Sequence, residues 1–205
     1  MRVARDLTKV DLINNGTEYA STPLIYTSEL RNPDTNAAFY VTIHTSSPST
    51  DFTSFKLNVS TSEGNLTIPK YASDIVLNGR QSKIIVTDFS VGKQKLVYST
   101  AEVLTVTVQD GKPIVFLWLP AGESGEFFLT GVRQGKILKS TGTSNVRFES
   151  VKGGIIASYT QGVGSSVLEF DNDYQIVVVD RSAAYYTWMP TTSADPYTPE
   201  NSTGK

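Results

Sequence analysis

The chain of 205 residues contains no cysteine. Thiol nucleophiles, iron–sulfur clusters, cysteine zinc sites and disulfides are thereby excluded. A domain of this length buries enough apolar surface to need no covalent staple, so the missing disulfides assign no compartment. His44 is the single histidine. It leaves Ser-His-Asp chemistry one base and makes a histidine-based metal centre untenable, so no metal or cofactor is expected. The longest strongly apolar run, Ile114 to Leu119, is six residues and stops at Pro120, far short of the about 20 that cross a bilayer as a helix. Excess positive charge is missing too. Lys and Arg number 18 against 20 Asp and Glu, for a net charge of −2, which offers no basic surface to displace counterions from phosphate. Neither nucleic acid nor a membrane is expected as a partner. Met1 is followed by Arg2 and mixed polar residues rather than the apolar core of a secretion signal. The chain therefore reads as cytosolic, or as a piece of a longer polypeptide whose signal has been removed.

What is abundant points to β-structure. Ser and Thr together make 46 residues, with ten Tyr and nine Phe, a balance that favours strands over helices. From Leu24 to Asp180 the hydrophobic pattern has period two. In AAFYVTIH, Phe39, Val41 and Ile43 share one face, read as inward, and Tyr40, Thr42 and His44 share the other; in SFKLNVS the inward set is Phe55, Leu57 and Val59. Asn78-Gly79, Asp110-Gly111 and Gly153-Gly154 separate strands, and the first two suit two-residue hairpin turns. Ile114–Leu119 and Gln175–Val179 are apolar without alternation, as in strands covered on both faces. The expectation is a layered, antiparallel all-β fold, with no internal repeat of fixed period.

The ends differ from the middle. Val3, Leu7 and Val10 lie at helical spacing without a cap, so residues 1–10 read as the tail of a helix whose beginning has been cut away. Near the other end, Asp180 is placed to cap a helix over 181–188 that lays Trp188 and a tyrosine on the sheet before Pro190 stops it. Residues 191–205 are rich in Pro, Thr and Ser and read as a linker or loose terminus. The expected organisation is a hairpin region over 11–130 and a sandwich-like subdomain over 131–190.

Candidate sites are few. Asp88, Glu102, Glu123, Glu126 and Asp180 lie on or near strands, where two could form the acid and nucleophile of a glycosidase. Among 20 acidic residues some pair always looks suitable, so catalytic residues are expected to be absent from this chain. His44 reads as a solvated or hydrogen-bonded strand residue. Trp118, Tyr185, Tyr186 and Trp188 could stack on sugar rings, although the pattern places both tryptophans in the core. Four N-x-Ser/Thr sequons occur, at Asn15, Asn58, Asn65 and Asn201. That exceeds the about two expected by chance from ten Asn and this Ser/Thr content. Asn58, outward on its strand, and Asn65, after a turn glycine, are the most accessible.

Three stretches, LNGRQSKIIVTDF, YSTAEV and DRSAAYYTW, occur in this order over residues 77–188 with FYVTIH and SFKLNVS ahead of them. Together they resemble the second domain of secreted fungal β-galactosidases of glycoside hydrolase family 35. The resemblance covers roughly residues 7–190. It implies antiparallel hairpins continuous with an immunoglobulin-like sandwich and closed by a short helix. A catalytic (β/α)₈ barrel would precede the domain, with further β domains after it. The family hydrolyses terminal β-galactosyl residues with retention, using two glutamates on the barrel, and no barrel motif is present here. The implied role is therefore a noncatalytic accessory domain of a secreted glycoprotein enzyme, packed on that barrel and meeting a galactoside only through the parent. An independent carbohydrate-binding module, a small self-sufficient glycosidase and a stand-alone secreted protein remain as alternatives.

Overall fold

The computed structural model describes residues 4–171 and 174–187. A single helical turn, α1 (Ala4–Leu7), leads into β1 (Asp11–Gly16), β2 (Ile25–Arg31) and β3 (Ala38–His44). Two small hairpin layers come next, built from β4 (Phe52–Phe55), β5 (Leu57–Thr61), β6 (Gly64–Ile68) and β7 (Ile75–Asn78). They lead to β8 (Lys83–Val91), β9 (Gln94–Ser99), β10 (Glu102–Gln109), β11 (Lys112–Trp118) and β12 (Ser124–Thr130). The chain continues through β13 (Gly135–Ser140), β14 (Thr143–Val151), β15 (Gly154–Gln161), β16 (Ser165–Phe170), β17 (Tyr174–Val179) and α2 (Arg181–Tyr186). This is the all-β class with one short C-terminal helix that the sequence implied.

Three layers result. The middle layer is an eight-stranded sheet in the order β1-β2-β3-β8-β9-β12-β15-β14. A five-stranded sheet, β10-β11-β17-β16-β13, covers one side, and the pairs β4-β7 and β5-β6 cover the other. Strands buried on both faces, such as β3, β8, β12 and β15, lie in the middle layer, because successive side chains point to opposite faces and each face there is covered. Phe39, Val86, Phe127 and Ile155 enter the core shared with the five-stranded sheet. Their chain neighbours Tyr40, Ile85, Phe128 and Ile156 enter the second core, against Phe55, Leu57, Val59 and Leu77. Each such side chain contributes about 1.5–3 kcal/mol relative to exposure, so both cores are substantial.

Several local expectations are corrected. The doubly covered strands lie in the eight-stranded sheet; Ile114–Leu119 and Gln175–Val178 instead alternate half-buried and buried positions in the five-stranded sheet, whose outer side no other sheet covers among the described residues. There β11 and β17 pair in parallel, an exception in an otherwise antiparallel fold. In β3 the buried row is Tyr40, Thr42 and His44, and Ile43 is exposed. The small hairpins cover that side, so a face that looks polar in sequence is inside. Asp110-Gly111 does make a two-residue turn, both residues at positive φ, closing Gln109 onto Lys112. Asn78-Gly79 does not, since β7 pairs with β4 and its chain continues into another layer. The eight-stranded sheet takes strands from both sides of residue 130, with β12 paired to β15.

Candidate functional site

The open side of the five-stranded sheet carries a shallow aromatic groove. Parallel pairing sets Trp118 beside Val179, so the chain leaving β17 turns directly over the end of β11. Asp180 fixes that turn. Its carboxylate accepts the Ala183 N–H at 2.7 Å, and its own N–H donates to the Gly164 carbonyl at 3.0 Å. The helix α2 then closes a groove of about 330 Å³ lined by Leu104, Trp118, Arg181, Ala184 and Tyr185. Of the four aromatics proposed for sugar stacking, the fold brings together Trp118, which is half-buried, and Tyr185, 78% exposed. Tyr186, 89% exposed, lies outside the groove, so of the two tyrosines only Tyr185 borders the sheet, and it stays largely exposed. The helix ends at Tyr186, with Thr187 as its C-cap; Trp188, Pro190, Asn201 and the 191–205 segment lie outside the described residues. An aromatic face beside a guanidinium is a surface on which the apolar side of a pyranose can stack.

The five candidate carboxylates do not converge on one site. Glu126, fully buried, accepts hydrogen bonds from the backbone N–H groups of Lys70, Tyr71 and Ala72 and from the Tyr98 hydroxyl. Asp88, also fully buried, accepts the Ser62 N–H at 2.9 Å and its hydroxyl at 2.5 Å, with Arg31 and Lys95 each 3.9 Å away. Glu102 and Glu123 flank Lys83, which pairs with Glu123. Burial pushes Glu102 up to about 7, opposed by the Ile84 N–H and Lys83 and reinforced by the Glu123 charge. Asp180 is spent on its cap. Each carboxylate thus has a tertiary partner that accounts for its position.

A buried ionic network escapes the sequence pattern. Glu29 accepts from Arg31 at 2.8 Å and from the Tyr19 hydroxyl at 3.0 Å, while Arg31 also reaches the Ser60 and Asn36 carbonyls at 3.0 Å. Burial, with the neighbouring Glu29 carboxylate, pushes Tyr19 up to about 12. The available signal was Glu29 at an inward position of β2, between buried Thr27 and the turn at Asn32. His44 is buried as well, its Nε2 3.0 Å from Thr53 Oγ1, so it is a hydrogen-bonded core residue and not a solvated one.

Asn15, Asn58 and Asn65 are exposed. Asn58 and Asn65 lie on the outer face of the β5–β6 hairpin, where Asn58 faces Thr67 and Ser60 faces Asn65. Thr67 donates its hydroxyl to Asn58 Oδ1 at 2.8 Å. Both asparagines border a polar cleft of about 430 Å³ that Asn14, Glu18, Tyr19 and Glu29 also line.

Residues 7–186 match the family model for beta-galactosidase, domain 2. Among related proteins, one named "Probable beta-galactosidase B" from Penicillium rubens is 51% identical over 199 residues, covering 97% of this chain and 20% of that protein. Its namesakes in Emericella nidulans and Talaromyces marneffei are 50% and 48% identical, over 97% and 98% of the chain. The chain spans about one-fifth of the length of these relatives.

Proposed function

The chain belongs to the beta-galactosidase domain 2 family, and we propose that it is a noncatalytic accessory domain of a secreted β-galactosidase that removes terminal β-galactosyl residues. Chemistry with retention, by two glutamates, resides on a (β/α)₈ barrel outside this chain, and further β domains come after it. Residues 1–10 lead out of that barrel, 11–130 and 131–190 together form the accessory domain, and 191–205 lead onward. Passage through a secretory pathway makes Asn15, Asn58, Asn65 and Asn201 eligible for glycosylation.

The observation that carries this reading is proportion: a fold with two cores of its own spans about a fifth of relatives named as β-galactosidases. The engaged carboxylates support it, since Glu126, Asp88 and Asp180 already hold backbone donors. A domain of this kind buries apolar surface against its neighbours and sets the orientation of the later domains. The test is turnover of a chromogenic β-galactoside by the 205-residue chain beside the full polypeptide of the same gene. The expected result is activity in the full polypeptide alone. Turnover by the chain itself, lost in Glu102→Gln, would replace this reading with the self-sufficient glycosidase.

One observation favours a second reading, an independent carbohydrate-binding module: Trp118, Tyr185 and Arg181 share a groove. Calorimetric titration with galactosides separates the two. Binding abolished by Trp118→Ala supports the module, and heats indistinguishable from dilution support the scaffold.

A further inference from the structure

The eight-stranded sheet is wider than the five-stranded sheet packed on it, and the overhang has a distinctive chemistry. Cross-strand partners point to the same side of a sheet. Leu12 pairs with Leu30 and Leu30 with Phe39; Ser28 pairs with Val41 and Val41 with Ile84; Tyr26 pairs with Ile43. The Leu24 carbonyl accepts the Thr45 N–H, which extends the same row by one pair. Phe39 is buried in the core against the five-stranded sheet, so all of these residues face that sheet's side. Coverage runs out toward β1 and β2. Leu12 is 56% exposed, Leu24 57% and Ile43 42%, and Tyr26, Leu30, Val41 and Ile84 are only half-buried.

None of these residues is charged, in a chain where 19% of residues are. Exposed apolar side chains elsewhere, such as Phe52 and Val163, belong to no comparable row. A continuous uncharged face matches the depleted charge at the centre of permanent interfaces rather than ordinary surface. Four-fifths of the length of the relatives lies outside the matched region, which supplies a covering body. Leu7, the last residue of α1, and Val10, just ahead of β1, pack on the adjoining core.

We propose that this face of β1, β2 and β3 is the docking surface for another folded domain of the same polypeptide. The proposal rests on the accessory-domain reading and narrows it to one surface. It carries a further requirement. Asn15 pairs with Ser28 and accepts the Tyr26 hydroxyl at 2.5 Å, so its side chain stands on this same face. A glycan there would prevent docking, so the Asn15 sequon is unmodified, whereas Asn58 and Asn65 lie on a separate hairpin and are free of that restriction.

Hydroxyl-radical footprinting of the full native polypeptide, read by peptide mass spectrometry, tests this without any fragment having to fold. Leu12, Leu24 and Ile43 are expected to label about five-fold or more slowly than Phe52 and Val163, as burial in an interface centre requires. The same peptides are expected to show Asn15 without a glycan. Equal labelling of the two sets, or a glycan on Asn15, overturns the proposal. Protection found only at Ile137 and Leu138 moves docking to β13, sinking this surface while the accessory-domain reading survives. No protection at any exposed apolar residue removes both. Protection that disappears on dilution assigns the face to a second copy and also overturns the proposal.

Discussion

Tyr98 donates its hydroxyl to Glu126 Oε1 at 2.7 Å, on the side of the eight-stranded sheet that the small hairpins cover. Burial, with the Glu126 charge beside it, holds the Tyr98 phenol well above its usual range. The same carboxylate accepts three successive backbone N–H groups, from Lys70, Tyr71 and Ala72. One side chain of β12 therefore ties down the link between β6 and β7, more than fifty residues away in sequence.

Glu126→Gln replaces an acceptor oxygen with an amide that points N–H at N–H. The expected cost is about 2–4 kcal/mol, the range for breaking a buried, charge-assisted set of hydrogen bonds. Urea unfolding measures it. Hydrogen exchange should quicken first at residues 70–72; uniform quickening throughout the chain would speak against a local clamp.

The raised Glu102 sets a pH dependence. Its ordinary carboxylate value is near 4.5 and its folded value about 7, so the folded state binds the proton more tightly than the unfolded state. The contribution is complete below about 4.5 and is lost as pH rises through about 7. It amounts to about 3 kcal/mol across that window, at 1.36 kcal/mol per unit. Glu102→Gln should flatten this part of the curve of stability against pH. An unchanged slope in the variant would assign the dependence to other groups.

Gly154 faces the carbonyl oxygen of Leu129, and a Cβ built there would lie 2.0 Å from it. Gly154→Ala must therefore push β12 and β15 apart at the end of their pairing, where Thr130 meets Gly154. The expected loss is about 1–3 kcal/mol, the scale of overpacking a well-packed site. Thermal unfolding of Gly154→Ala beside the wild type measures it, and an unchanged midpoint would show that the two strands can separate without cost.

The hydroxyls of Tyr159 and Tyr174 are buried in the larger core without a hydrogen-bond partner among the described residues. Removing an unpartnered buried hydroxyl relieves its desolvation cost. Tyr159→Phe and Tyr174→Phe should each leave stability unchanged or raise it by about 1 kcal/mol. A clear loss in either variant would reveal a partner for that hydroxyl.

Asp180→Ala removes the cap of α2 and should cost about 1 kcal/mol. In a Trp188→Phe background, where Trp118 is the one tryptophan left, its fluorescence should shift on Asp180→Ala because α2 closes the Trp118 groove. An unaltered spectrum would mean that the helix stays in place without its cap.

Much of this was legible in order. The inward set of Phe55, Leu57 and Val59, the Asp110-Gly111 turn and the Asp180 cap arise from local rules: period two, positive φ, and a carboxylate reaching an N-terminal amide. The membership in the family was likewise carried by short stretches of sequence. His44, Tyr40 and Glu29 were illegible because burial of a strand face depends on what is laid over it. For β2 and β3 that cover comes from hairpins later in the chain.

The sequence by itself determined the class of the protein: cysteine-free, nearly charge-neutral, all-β, and a member of a recognisable domain family. These properties reside in composition, periodicity and short motifs, which act over a few residues. Only the tertiary structure decided that β11 and β17 run parallel beneath α2, that Glu126 clamps a distant link, and that β1 to β3 present an uncharged face with incomplete cover. Those outcomes depend on which strands become neighbours, and strand pairing joins residues that no local pattern relates.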